Sequence, residues 1–401
     1  MGGIQEIQIA LNNRYICLIL TLSFKTAGTN PTWKKKMKVD QFSPYICEEE
    51  IQSVLETLHT NWLTEGPKTA ELEDMLREIC GVKHVHLMPN GTLALFVANM
   101  VAGIGPGDEV IVPDFTFMGS ATSVILTGAK VVFADVNVDD FNISVDSVRK
   151  NITERTKAIM PVHIYGQSAN MTEIMKVAEE NNLMVIEDAA QGIGVACGNK
   201  HVGGIGNLGC FSFFADKTFT TGEGGAVVTN DDKLGEDVAY FKNQGRLKRG
   251  SFVHPRIGFN FRLTDLQAAI GVEQLKKLDF IIEKKRENEN LYRELLKDSP
   301  VEFPKDVKRG SRVPFRVNIL VDDPEKLGEY LEERDVGTRR FFYPLHTQPC
   351  FTRDNSDYYA DLINSTSIFN LGLSLPSSVG LKQEEIKYVC GCIKQFFGKG
   401  E

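Results

Sequence analysis

Residues 209–229, GCFSFFADKTFTTGEGGAVVT, hold two short apolar runs, 209–214 and 226–229, joined by a loop that carries a single lysine, Lys217. The runs read as strands. The loop between them is built from small and hydroxylic residues and closes in Gly222, Gly224 and Gly225. A lysine that forms an imine must be uncharged part of the time, and partial burial against a flat partner provides that environment. Glycines let the backbone pass close under such a ring. Ser212, five residues before the lysine, can add a hydrogen bond to a phosphate. A surface lysine in a β-turn is the plain alternative, and it leaves so many glycines and threonines unexplained.

Outward from this loop the pattern is regular. Upstream, apolar runs at 84–88, 109–113, 130–134, 158–164 and 183–187 alternate with helical spacing at 92–103, 117–127, 144–151 and 170–181. Runs without polar alternation, each followed by a helix, indicate an α/β fold with a mostly parallel sheet covered on both faces. Two helices at 48–59 and 69–79 precede it, and two at 264–275 and 276–297 follow the lysine loop. Then the order changes to a strand at 314–321, a helix at 323–334, a strand near 338–342 and a last helix at 383–397. This reads as a smaller α+β domain. The expected division is an extension over 1–37, a large domain over 38–275 and a small domain over 276–401.

Two further motifs sit at strand ends. Pro89-Asn90-Gly91-Thr92 follows the run 84–88 and opens a helix, where free amides and the Thr92 hydroxyl favour an anion. An ordinary capped helix start would look the same. Val185-Ile186-Glu187-Asp188-Ala189-Ala190-Gln191 ends a strand in a carboxylate at the edge where α/β proteins place ligands. A carboxylate there can keep a pyridine nitrogen protonated, so that the ring absorbs the electrons of a carbanion. Gln191 returns to the same side and can reach the ring's phenolic oxygen. Phe117, after the strand that ends at Pro113, can stack on a ring face, or it can be a core aromatic. Gly204-Ile-Gly206-Asn-Leu-Gly209 matches the dinucleotide fingerprint, but it precedes a strand instead of following one, which argues against a nicotinamide site.

The net charge of −8, from 45 basic and 53 acidic residues, argues against nucleic acid or an anionic membrane as partner. The eight cysteines are scattered, with Cys390-Gly-Cys392 lacking a second ligand pair, so no metal site is expected. Buried reduced thiols point to the cytoplasm. Tyr15 to Phe24 is apolar but too short to span a bilayer, so no membrane partner is expected. The extension over 1–37 reads as disordered or non-native.

With these residues in hand, the chain resembles the DegT/DnrJ/StrS family of sugar aminotransferases, of the pyridoxal-phosphate (PLP) fold type I. The likeness runs from about residue 40 to the end, through PNGTLAL, PDFTF, HIYGQ, IEDAAQ, FSFFADKTFTTGEGG, GFNFRLTDLQAAIG and FFYPLHTQP in the family's order. FFADKTFTTGEGG and FFYPLH are most similar to the branch that aminates C4 of GDP-4-keto-6-deoxymannose. The resemblance implies pyridoxal 5′-phosphate as cofactor, with Lys217 forming the Schiff base and moving the proton. It also implies that Asp188 faces the pyridine nitrogen, Gln191 the phenolic oxygen and Phe117 the ring. Gly91, Thr92 and Ser212 would hold the phosphate. Asn260, in preference to Arg262, would reach the phosphate of a partner subunit's cofactor, making the chain a homodimer with shared sites. His163 and His346 would lie near the sugar, although a core histidine is an equal reading of His163. Glutamate and a nucleotide-linked keto-sugar are the implied substrates. Relatives that dehydrate the sugar replace the lysine with histidine. A 3-aminotransferase and a non-catalytic regulator that keeps the fold compete with amination at C4. Besides the extension over 1–37, which ordinary members lack, two departures from the pattern stand out. Asp216 occupies a position where this branch typically has Asn, and Ser311–Arg316 lacks the usual aromatic pair.

Overall fold

Strands β1 (His84–Met88), β2 (Glu109–Pro113) and β3 (Lys130–Ala134) coincide with the apolar runs that foretold them. β2 is buried at every position, as a strand covered on both faces must be. With β4 (Thr156–Ile159), β5 (Met184–Asp188), β8 (Leu208–Ser212) and β9 (Gly225–Thr229) they form a seven-stranded sheet. Its order is β1-β9-β8-β5-β4-β2-β3. β9 runs antiparallel to both β1 and β8, while the remaining pairs are parallel. The sheet is therefore mostly parallel, and its one reversed strand is the one that leaves the lysine loop. This computed structural model describes residues 37–246, 250, 252–352 and 362–398, so the expectation for 1–37 falls, but for Met37, outside the described residues.

Local chemistry sets the boundaries. The helix Gly91–Val101 starts where the Asn90 side chain accepts from the Leu93 amide at 2.9 Å. The helix Pro67–Cys80 stops at Gly81 in the left-handed region, at φ +63°. β4 ends at Ile159, short of the expected 164, because Pro161 has no N–H to continue the ladder. Three helices, Asp232–Lys242, Pro349–Thr352 and Ile363–Leu371, were not foreseen.

Lys38–Glu401 forms one compact unit. Its second sheet has order β10-β12-β11, from β10 (Val317–Leu320), β11 (Arg339–Arg340) and β12 (Gly372–Leu375). A two-residue hairpin, β6 (Ala196–Cys197) with β7 (Lys200–His201), completes the strands. Tyr165 and Gly166 take positive φ, 52° and 77°. A Cβ at Gly166 would lie 1.7 Å from the Val313 carbonyl oxygen, so only glycine lets residues 313–315 approach. That approach is sealed by Val313 N donating to Gly166 O at 3.1 Å and Phe315 N to Tyr165 O at 3.3 Å. It carries Phe315 and Arg316 to the carboxyl edge of the large sheet.

Candidate active site

Asp188 is the last residue of β5 and is buried. Its Oδ2 accepts from Ser120 Oγ at 2.7 Å and its Oδ1 from the Ala190 amide at 3.1 Å. Burial pushes its pKa up, against the opposing pull of those two donors and of the Lys217 charge. Two donors leave lone pairs to spare on a carboxylate that can take about four hydrogen bonds.

The Lys217 loop is pinned at its base. Phe213 N donates to Gly224 O at 2.8 Å, and Thr221 N to Phe213 O at 3.0 Å. Lys217 Nζ stands 4.6 Å from the centre of the Phe315 ring and 3.8 Å from Asp216 Oδ1. Burial lowers the pKa of this amine and Arg316 acts in the same direction, while Asp216 and Asp188 oppose them. That is the environment an imine-forming amine requires.

Around the two groups the backbone is close-packed. A Cβ at Gly91 would meet Ser212 Cβ at 2.8 Å, and one at Gly119 would meet Thr92 Oγ1 at 2.9 Å. Gly91, Thr92 and Ser212 thus lie together at the start of the helix Gly91–Val101, whose first amides have no carbonyl within the helix to donate to. Gly225 is cornered as well, with a Cβ there 2.6 Å from Asn90 C and 2.7 Å from Phe211 O. Phe117 is 62% exposed, unusual for a phenylalanine beside buried polar groups. The Gln191 Oε1 accepts from Tyr165 N at 2.7 Å, which leaves its Nε2 to donate.

Residues 44–394 match the model of the DegT/DnrJ/EryC1/StrS aminotransferase family. The chain belongs to this family. It is 36% identical to the GDP-perosamine synthase of Vibrio cholerae, over 89% of this chain and 98% of the relative. A DegT/DnrJ/EryC1/StrS aminotransferase from Brucella abortus superposes with a TM-score of 0.82 at 32% identity, over 88% of this chain and 96% of the other. Helicobacter pylori PseC, an aminotransferase of pseudoaminic acid biosynthesis, superposes at 0.84 with 29% identity, over 90% and 100%. DegT-family aminotransferases depend on pyridoxal 5′-phosphate, and this one is a PLP enzyme of fold type I. The residues present fit the cofactor. A buried carboxylate with unused lone pairs, an amine of lowered pKa, an open aromatic face and a glycine cradle at a helix start converge at one sheet edge.

In this DegT-family chain the two histidines part company. His163 is fully buried, with Nε2 2.9 Å from Glu187 Oε2 and Nδ1 accepting from the Ala169 amide at 3.2 Å. Both ring nitrogens are used within the core, which corrects the expectation of sugar contact: His163 is a core histidine. His346 is partly accessible, and its Nδ1 lies 2.7 Å from Asp114 Oδ2, at the residue that follows β2. Asn260 is exposed, whereas Arg262 donates to Asn243 Oδ1 at 3.0 Å. The glycine run that mimics a dinucleotide fingerprint binds an internal anion instead. The amides of Gly203, Ile205 and Gly206 donate to the Glu187 carboxylate at 2.8, 2.7 and 2.6 Å.

Sequence reasoning passed over four groups at this edge: Ser120, Asp114, Arg316 and Arg339. Ser120 carried a usable signal, since it opens the helix that follows PDFTF. The arginines carried none, because their partner Asp216 is 100 or more residues away.

Proposed function

We propose that this enzyme moves an amino group from glutamate to the C4 ketone of a nucleotide-linked 4-keto-6-deoxyhexose, as a GDP-perosamine synthase does. The observation that carries the reading is the convergence of the Lys217 amine and the Asp188 carboxylate at the carboxyl edge of the sheet. The similarity to GDP-perosamine synthases over most of the chain supports the choice of substrate. When bound, PLP supplies an electron-withdrawing ring that makes the neighbouring C–H acidic. Lys217 Nζ takes the proton from the carbon of the donor and returns one at the carbon of the acceptor sugar. Asp188 holds a proton on the ring nitrogen, and the Gln191 Nε2 donates to the phenolic oxygen. Gly91, Thr92 and Ser212 hold the phosphate, Phe117 covers one ring face, and His346 contacts the sugar.

Asn260 of a second copy completes the phosphate site. Support for that dimer comes from the exposed apolar side chains of Phe252, Val253 and Ile257 just before Asn260. The division near residue 275 belongs to the same reading, supported by one sheet lying wholly before it and the β10-β12-β11 sheet wholly after.

The test is a panel of GDP-, UDP- and dTDP-linked 4-keto-6-deoxyhexoses assayed by mass spectrometry for a glutamate-dependent amino sugar. Conversion of the GDP-linked member is expected, with borohydride fixing the cofactor to Lys217 and Lys217→Ala abolishing turnover. No product from any member, or turnover by Lys217→Ala, would overturn the reading.

A further inference from the structure

Asp216 and Arg316, from the two stretches that depart from the family pattern, meet beside the reactive amine. Arg316 Nη2 donates to Asp216 Oδ2 at 2.8 Å, and Arg339 Nη1 lies 3.4 Å from the same oxygen. Only 7% of the Arg316 side chain is exposed, and its guanidinium sits 4.9 Å from the Phe315 ring centre and 5.8 Å from that of Phe342. Packing on two rings fixes its head in place. Arg339, on β11, is 52% exposed. Both guanidinium groups hold one oxygen of Asp216. The other, Oδ1, is buried without a hydrogen-bond partner among the described residues and points toward Lys217 Nζ at 3.8 Å.

We propose that Asp216 is a positioning residue for the Lys217 amine: its Oδ1 is the counter-charge that receives the ammonium, and Arg316 sets how much of that charge the amine feels. The inference rests on the reading of Lys217 as the Schiff-base lysine. An amine that carries a proton between two carbons must hold it in transit, and a carboxylate alone at this distance would hold it too well. An opposite charge within ~4–6 Å moves a pKa by about 1–3 units. Arg316 draws on the same carboxylate from the far side and weakens its grip. The other charged groups are arranged around this pair. Asp188 faces Lys217 from β5, Arg339 acts on Asp216 from β11, and Lys285 donates to Phe315 O at 3.2 Å from the helix Leu278–Leu296. Burial lowers the Lys285 pKa to about 8, with Asp216 opposing and Arg316 reinforcing that shift.

The consequence is a pair of shifts with opposite signs, which loss of packing alone does not produce. The readout is the pH titration of the visible absorbance of the holoenzyme. Asp216→Asn removes the negative charge and is expected to lower the midpoint by about one unit. Arg316→Met leaves Asp216 unopposed and is expected to raise it, and Arg316→Gln, a second neutral variant in case the first does not fold, is expected to shift it the same way. Arg316→Lys keeps the charge and is expected to stay near the unsubstituted value. Shifts of the same sign in Asp216→Asn and the neutral Arg316 variants, or no shift in either, overturn the proposal. Borohydride labelling separates the two levels. Failure to fix the cofactor at Lys217 sinks the functional reading, whereas labelled protein with the wrong shifts sinks only this inference.

Discussion

Glu187 and Asp188 are neighbours at the end of one strand, both buried carboxylates, and their surroundings differ completely. Side chains alternate across a strand, so the pair faces opposite sides of the sheet. Glu187 receives three backbone amides and the His163 ring. Burial works to raise its pKa, but the His163 bond and the amides win and hold it below the usual carboxylate range. Asp188 has a hydroxyl and one amide, and burial raises its pKa. A saturated carboxylate is an anchor. An under-saturated one keeps hydrogen-bonding capacity to spare, which suits the binding role proposed for Asp188.

The largest break in this contrast comes from Glu187→Gln. The new amide would point donors at donors, and removing one partner of a buried charge network costs about 3–5 kcal/mol. Denaturant unfolding is expected to show that loss, with the cofactor still able to bind whatever protein remains folded. The sign with pH follows from the lowered pKa. The Glu187 contribution is fully present above the unfolded value of 4.5 and is lost as pH falls through its lower folded value. The variant is expected to lack that acid-side decline.

Asp188→Asn is the mirror case. Stability measured in the same way is expected to change little, while kcat falls by about 10²–10³-fold, the cost of losing one preorganised charge aimed at the reacting system. A variant that unfolds but, where folded, keeps its kcat would erase the distinction between the two carboxylates.

Lys285 sharpens the rule from the cationic side, as a buried charge with a single carbonyl partner among the described residues. Its pKa is lowered to about 8 by burial, so the unfolded chain binds its proton more tightly than the folded one. Wild-type stability should therefore rise with pH between about 8 and 10.5. Lys285→Met is expected to be more stable by about 2 kcal/mol at pH 7, the relief of that penalty less one hydrogen bond. The advantage should shrink as pH climbs through that window.

Much of this was legible in the sequence, for a physical reason. β1, β2 and β3 are short apolar runs with clear polar or glycine-rich edges, and burial on both faces leaves them no other reading. The positions of Lys217 in a loop after a strand and of Asp188 at a strand end were legible because each is set by chain-local geometry. β12 was missed, although it is the middle strand of its sheet, because GLSL is too short and mixed to stand out and follows directly on a helix. The Asp216–Arg316 pair was equally invisible. Each residue read as an oddity of its own segment, and only the approach at Gly166 makes them partners.

The cornered glycine at 225 has a reach beyond its own contacts. It lies opposite Met88 in β1 and opposite Ser212 in β8, so a single alignment of three strands sets the proposed phosphate cradle and the base of the lysine loop together. A one-residue slip would turn every side chain of β9 to the wrong face, and it would also scatter the groups proposed to capture the cofactor. Molecules that assemble with the wrong alignment would stay colourless, and the tint of a preparation doubles as a gauge of how faithfully its strands have found one another.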